Sequence, residues 1–438
     1  MNVGLLTLTL LGSLVILLAL GLPLVFCLGG IATLGLYLLM GDKAFLVIYF
    51  NTIEKVRDFA YITIPMFTYM AYMLERSGAA EALYTTIQYW TGKLAGSLAI
   101  GMVIISTILA AMVGLSSAAI ITMGVTVLPS MLRRGYNKDL AMGSIAAGST
   151  LGILIPPSVL GILYAGQAGV SVGYMFMAGF LPGLLVAGLF ILYIGLRCYL
   201  NPSLGPPLPA NEAVNQKVKL RSLSSVILPG LLVIAVLGSI FLGIATPLES
   251  SAVGALGSII IVALNRKLTW KTFLEVNQKT LLLTCTVMWV LFSAGPFRSV
   301  YIVSGAQHLI QNLLLNVPFG AFGSLIVMQL ILLFLGCFLD EFGILIIAMP
   351  LFVPVIRALN IDPVWFGILF IINMEIAELT PPVGLNIFYM KAIVPKGTRT
   401  EEIYRSVMPF VGLLGLAMII IIIFPGVATW LPNIVFKR

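Results

Sequence analysis

The sequence predicts an all-α polytopic membrane protein built from two inverted-topology repeats with re-entrant hairpins and broken helices. Three observations predict it. Of 438 residues, 60% are apolar and 9% charged, which leaves too little polar surface for a fold surrounded by water. The second half repeats proline and glycine landmarks of the first at a nearly constant shift. Each half also interrupts its apolar helical stretches twice.

The first observation makes the lipid bilayer the solvent. Runs such as Gly4 to Leu20, Leu181 to Leu196, Val226 to Ile244 and Val407 to Phe424 approach or reach the roughly 20 residues that a helix needs to cross the hydrocarbon layer. No Lys or Arg precedes the first run and no small-residue cleavage pattern follows it, so it is read as a retained span. The four cysteines, Cys27, Cys198, Cys285 and Cys337, lie in or beside apolar segments without paired spacing, which gives neither a disulfide framework nor a metal knuckle. His308 is the single histidine, too few for a His-based metal site and a poor basis for a Ser/His/Asp triad. The net charge of +8 is scattered through loops between spans, a topology signal and not a nucleic-acid footprint.

The second observation orders the elements. A shift of 225 brings Ile155-Pro156-Pro157 onto Thr380-Pro381-Pro382, Leu128-Pro129 onto Val353-Pro354 and Leu115 onto Asp340; a shift of 224 brings Pro23-Leu24 and Gly30 onto Pro247-Leu248 and Gly254. The first repeat is placed at 1–196, with an interfacial arm at about 41–58, a hairpin at 96–132 and a broken helix at 139–170. Residues 197–224, containing Asn201-Pro202 and Gly205-Pro206-Pro207 followed by Lys217, Lys219 and Arg221, form a cytoplasmic connector. The second repeat is placed at 225–424, with an arm at 265–279, a hairpin at 322–357 and a broken helix at 363–392, leaving 425–438 as a periplasmic tail. Each copy then reads as two spans, an amphipathic arm lying along the interface, a third span, the hairpin, the broken span and a final span.

Basic residues orient this arrangement. With the first hairpin entering from the cytoplasm and the second from the far side, seventeen of the 24 Lys and Arg residues fall inside. Lys43, Lys55, Arg57, Arg298, Arg357, Lys437 and Arg438 stay outside. An odd number of crossings per copy inverts the second against the first, and both termini face the periplasm.

The third observation locates the chemistry. In lipid, an unpaired backbone group costs several kcal/mol, so non-helical backbone at membrane depth persists only inside protein or along a cavity. Four breaks are legible: Val113 to Ser117, Gly152 to Ser158, Gly336 to Gly343, and Leu379 to Asn386. Pro-Pro and nearby glycine free carbonyls that suit a hard cation such as Na⁺. The helix half beyond a break presents free N–H groups and a positive dipole end that suit a carboxylate. Breaks paired across an inverted repeat are the pattern of secondary transporters that bind their cargo at the midplane. A simple kink explains a lone Pro-Pro equally well, and small-residue packing explains Ser116, Ser117, Gly148 and Gly152 taken singly. Ser149 and Thr150 either face the cavity or bond back to their own helix.

Acids inside a membrane are costly and mark function. Asp340 and Glu341 sit at a hairpin tip, where ion binding competes with helix capping. Glu375 and Glu378 share a helix face beside Asn373. Glu249, following Pro247, reads as an ordinary first-turn carboxylate.

Taken in order, Ala147 to Ser158 (AGSTLGILIPPS), Gly243 to Glu249 (GIATPLE), Gly336 to Asp340 (GCFLD) and Leu379 to Pro382 (LTPP) resemble the large membrane subunit of tripartite ATP-independent periplasmic (TRAP) transporters, over essentially the whole chain. The resemblance implies an elevator-type carrier of the bacterial inner membrane, with scaffold and transport domains, that imports small organic acids using Na⁺ as coupling ion. It implies two partners, a small four-helix membrane subunit and a periplasmic substrate-binding protein, and no cofactor and no enzymatic activity. It implies one Na⁺ half-site at Gly114, Ser116, Ser117, Gly152 and Pro156, and a second at Gly336, Asp340, Thr380, Pro381 and Gly384. Ser149, Thr150, Pro157, Ser158, Asn373, Glu375, Pro382 and Asn386 are then the residues expected to face substrate. The chain departs from the family pattern in having Glu341 after the aspartate, Leu248-Glu249-Ser250-Ser251 in place of Thr-Glu-Ala-Ala, and Glu378 where a neutral residue is usual. An extra acid there bears on ion use and disfavours an anionic substrate. The alternatives are a stand-alone anion or dicarboxylate carrier of a related family, and an intramembrane enzyme using Asp340 with Glu341, or Glu375 with Glu378, as an acid pair. The enzyme reading leaves the repeat without a purpose.

Overall fold

The computed structural model describes residues 3–91, 94–114, 116–207 and 216–435, with the backbone alone at a few of these, Ser117 among them. The expected roles of Leu115 and of the Ser117 side chain, and the charges at Lys93, Lys437 and Arg438, thus lie outside the described residues. So does 208–215 of the connector.

All described secondary structure is helical. The first half comprises α1 (Val3–Ala19), α2 (Leu24–Met40), α3 (Lys43–Arg57), a 3-10 turn (Phe59–Ile62), α4 (Thr63–Arg76), α5 (Ala79–Thr91), α6 (Ser97–Val113), α7 (Ser116–Arg133), α8 (Lys138–Leu154), α9 (Val159–Ala168) and α10 (Val172–Leu200). The second half comprises α11 (Gln216–Phe241), α12 (Pro247–Leu264), α13 (Trp270–Val303), α14 (Ala306–Leu315), α15 (Gly320–Gly336), α16 (Glu341–Ala358), α17 (Pro363–Leu379), α18 (Leu385–Ile393), α19 (Thr400–Ile423) and α20 (Gly426–Val435). Local chemistry starts several of them. Thr246 and Glu249 close a capping box ahead of Pro247, with the Thr246 amide donating to Glu249 Oε2 at 2.8 Å, so Glu249 serves its helix end. Asp362 accepts from the Val364 amide at 2.7 Å just before Pro363 takes the first helical position. Asn137 caps α8 through the Leu140 amide at 3.1 Å.

The helices pack in two groups, each drawn from both halves. In one, α2 lies on α13 and α4 on α12, with α1, α3 and α11 around them. In the other, α8 is surrounded by α6, α7, α10, α17 and α19, and α17 by α15 and α19. Every residue of α8 from Leu140 to Leu154 is buried, which makes that helix the centre of the second group. The arm α3 buries only Ala44 and leaves Phe45, Leu46, Tyr49 and Phe50 exposed, as an interfacial helix does.

The structure moves several predicted boundaries. The second arm, placed at 265–279, is not a separate element: it continues into the third span as the 34-residue α13. At about 1.5 Å per residue this helix is some 50 Å long, well beyond the roughly 30 Å hydrocarbon core. The connector placed at 197–224 is shorter, because α10 runs to Leu200 and α11 starts at Gln216. The tail placed at 425–438 contains α20, which packs on α10. Two short helices, α5 and α14, stand ahead of the hairpins where none was expected. Each follows a glycine of positive φ, Gly78 at +80° and Gly305 at +77°.

Ion pairs join residues that the charge pattern puts on one side: Arg76 with Glu275 at 2.9 Å, Lys279 with Glu75 at 3.6 Å, Lys138 with Glu402 at 2.8 Å and Arg405 with Asp139 at 3.1 Å. At the opposite end, Arg357 donates to the Ala168 carbonyl at 2.6 Å.

Candidate functional site

The first helix break lies where α8 gives way to α9. Pro156 and Pro157 are buried, and Ser158 restarts the helix by donating to the Ile153 carbonyl at 2.5 Å and accepting from the Gly161 amide at 3.0 Å. Gly152 is buried in the last turn of α8. Onto this break folds the tip of the hairpin formed by α6 and α7. Gly114 has φ +64°, and a Cβ on it would lie 2.1 Å from the Pro157 carbonyl oxygen. Only glycine fits such an approach. Ser116, buried, opens α7 beside it.

The second break repeats the arrangement between α17 and α18. Thr380 donates its hydroxyl to the Ile376 carbonyl at 3.0 Å, and the Val383 amide donates to the Cys337 carbonyl at 3.3 Å. That last bond ties the break to the tip of the α15–α16 hairpin. Gly336 packs so closely on α17 that a Cβ there would meet Ala377 Cβ at 2.3 Å. Asp340 stands at the N-cap position of α16, with Oδ1 turned toward Gly343. Gly384, at φ +53°, starts α18. Both Pro-Pro bonds are cis. The two breaks differ in environment, because Pro381 and Pro382 are exposed whereas Pro156 and Pro157 are enclosed.

One side chain joins the two half-sites. Glu378, on the last turn of α17, accepts from Ser116 Oγ through Oε1 at 2.7 Å and from Asn386 Nδ2 through Oε2 at 2.9 Å. Ser116 belongs to the first hairpin and Asn386 to α18, so the carboxylate spans from one half of the chain to the other. Glu378 and Glu341 line a narrow crevice together with Gly336, Gly384 and the apolar side chains of Leu339 and Met374. Among the described residues no ion pair includes Asp340, Glu341, Glu375 or Glu378.

The remaining predicted residues are dispersed around this centre. Ser149 and Thr150 donate to the Ala146 and Ala147 carbonyls of their own helix at 2.7 and 2.8 Å. Asn373 points away from Glu378, toward α15, donating to both the backbone and side-chain oxygens of Gln329 at 2.9 Å. Glu375 is 0% exposed and neither of its carboxylate oxygens has a hydrogen-bond partner. Asn386 is equally enclosed, and its Oδ1 also lacks a partner. Gln329 and Tyr404, whose hydroxyl donates to the Pro382 carbonyl at 3.1 Å, are absent from the sequence-based set. A lone amide in the apolar α15 was the available signal for Gln329; Tyr404 had none. A separate depression of about 590 Å³, bordered by Tyr174, Arg357, Asp362 and Asn433, opens at the Arg357 end and holds none of the predicted site residues.

A membrane protein whose described secondary structure is all helical, and whose hairpin tips close on paired helix breaks, has the architecture of a membrane carrier. The chain belongs to the DctM component family of tripartite ATP-independent periplasmic transporters, whose family profile matches residues 11–427. It is 33% identical over 394 residues to the C4-dicarboxylate TRAP transporter large permease protein DctM of Vibrio cholerae, covering 85% of this chain and 85% of that relative. It is 27% identical over 431 residues to the ectoine/5-hydroxyectoine TRAP transporter large permease protein UehC of Ruegeria pomeroyi, covering 97% and 98%. Among solved structures, the YdaH transporter of Alcanivorax borkumensis superposes with a TM-score of 0.61 at 15% identity, covering 97% of this chain and 98% of that one. That likeness extends to the fold.

Proposed function

We propose that this large permease subunit carries out Na⁺-coupled import of a small organic acid across the inner membrane by an elevator movement, with both termini in the periplasm. In this reading the acid is handed over by a periplasmic binding protein, and a small membrane subunit completes the carrier. The observation that supports it best is the pairing of breaks: each Pro-Pro segment is closed by a hairpin tip, through Gly114 on Pro157 and through the Val383 amide on the Cys337 carbonyl. Backbone oxygens released at such breaks suit Na⁺, and the free amides of the following helix half suit a carboxylate. In this reading the two repeats run in opposite directions through the bilayer, with the half-sites back to back. The helix group centred on α8 then moves against the group containing α2, α4, α12 and α13.

The test is uptake into liposomes containing the large subunit, its small partner and loaded binding protein. Substrate accumulation is expected only with an inward Na⁺ gradient. Ser116→Ala and Thr380→Ala are both expected to raise the Na⁺ concentration needed for half-maximal uptake. Accumulation that persists after the Na⁺ and H⁺ gradients are collapsed removes the coupling, and effects of the two variants on protein yield alone favour a packing role.

A further inference from the structure

We propose that the cleft between α4 and α13 on one side and α7 on the other is a second binding place for a carboxylate-bearing solute, held by Lys279 on its way between the half-sites and the aqueous phase. The proposal rests on the carrier reading above and adds a stage to it. The cleft measures about 320 Å³, and Tyr72, Ile121, Thr122, Lys279, Leu282 and Leu283 are among its walls. Small-molecule clefts begin at roughly 300 Å³, are mostly apolar with a few polar groups, and favour the junction between domains. This cleft has that size, make-up and position. Its walls come from both helix groups, α4 and α13 from one and α7 from the other, and these are the groups that move against each other in the carrier reading.

Lys279 is the one cation among the described residues that line it. Its Nζ stands 3.6 Å from Glu75 Oε1, an ion pair too long to be a hydrogen bond, and 5.2 Å from the centre of the Tyr72 ring. Charge and ring steady the ammonium, and its N–H donors remain for an acceptor that comes closer. A solute carboxylate at hydrogen-bond distance holds the ammonium more strongly than Glu75 does at 3.6 Å. Thr122 adds a hydroxyl from the opposite wall, while Ile121, Leu282 and Leu283 face a carbon skeleton. The ion pair with Glu75 alone does not account for solute-sized space between the two helix groups.

The cleft is joined to the half-sites by two routes through the structure. Along α7, Thr122 lies about 9 Å from Ser116, whose hydroxyl bonds Glu378. Along α18, which packs on α7, Tyr389 lies within electrostatic reach of Tyr72 on one hand and of Glu341, Glu378 and Asp340 on the other. The second break, from which α18 starts, is also the one whose prolines are exposed. A carboxylate between those acids and the ammonium is drawn to the ammonium. Lys279 thus gives an anionic solute a resting place away from the acids without binding it at the centre.

The test places a thiol in the cleft wall. Full-length Thr122→Cys protein, purified in detergent, is labelled with a maleimide, and the rate at position 122 is read by peptide mass spectrometry. Native Cys285, exposed and outside the cleft lining, is the internal reference. Succinate or lactate is expected to slow labelling at 122 about threefold once it exceeds its Kd about twofold, with Cys285 unchanged and the uncharged succinamide without effect. Adding Lys279→Gln is expected to abolish the protection. Adding Glu75→Gln, which breaks the same ion pair but leaves the ammonium, is expected to retain it. Protection by neither acid overturns the proposal, as does equal protection by succinamide. Protection by short-chain phosphatidylglycerol and not by the acids also overturns it, since the cleft then holds a lipid headgroup. Where Lys279→Gln yields no folded protein, Glu75→Gln decides: protection lost in that variant assigns the effect to the ion pair and overturns the proposal. Labelling needs no gradient, so failure of the carrier reading shows separately, as absence of Na⁺-dependent uptake in liposomes.

Discussion

Gly114 and Ser116 carry the tightest constraints at the scale of single residues. A Cβ at position 114 would sit 2.1 Å from the Pro157 carbonyl in a backbone conformation with φ +64°, so Gly114→Ala must push the hairpin tip off the break. The expected cost is roughly 2–3 kcal/mol, read as a lowered melting temperature together with lost uptake. Ser116→Ala removes one donor from a buried carboxylate and leaves Glu378 Oε1 unpaired, a change worth about 1.5–3 kcal/mol. Thermal melting of the purified protein checks that figure, and a variant as stable as the parent removes the bond from the account. The glycines and the Pro-Pro pairs were legible because backbone geometry restricts which residue can stand there. The partnership of Ser116 with Glu378 was not, since the two are 262 positions apart and nothing in either segment names the other. The hydroxyls of Ser149 and Thr150 illustrate the opposite case: sequence offered a cavity role and a helix role, and both make bonds to their own helix.

At the scale of elements, Pro, Gly and abrupt polarity mark in the sequence the ends of α6 and α7, α8 and α9, α15 and α16, and α17 and α18. The arms did not behave alike. In the first half Asp58 accepts from the Ala60 amide and ends α3, and Pro65 stands in the first turn of α4. In the second half no Gly or Pro occurs from Trp270 to Ala294, and α13 passes straight through. Thr280→Pro discriminates between the two descriptions. In one continuous helix it costs about 3 kcal/mol or more, whereas at a junction between separate elements it is tolerated. Folded yield and melting temperature are the readouts, and a parent-like Thr280→Pro protein argues for a junction. Helices α5 and α14 escaped notice because their mixed composition resembles loop, although the glycines that precede them were visible.

At the scale of the whole molecule, stability lies in buried contacts between helices and not in charges at the ends. Arg405 is mostly exposed where it pairs with Asp139, so Arg405→Ala is expected to change stability by less than about 1 kcal/mol. A larger loss, measured by melting at moderate salt, would assign the pair a structural role. Proline spacing points to a duplicated unit, and it says nothing of how two such units assemble. Repeats tell which segments are alike, whereas the pairing of α2 with α13, α4 with α12 and α8 with α19 depends on which faces meet.

That interleaving has a consequence for how the chain can be divided. Since each helix group borrows from both halves, neither half is a domain, and each presents to the other the faces it would otherwise leave bare. The polypeptide link after Pro207 then matters mainly for delivering the two pieces in equal numbers. Residues 1–207 and 216–438, made as separate proteins in the same cell, are expected to find each other and copurify as one complex, while either piece made alone is degraded. Two gene products would then do what one does here.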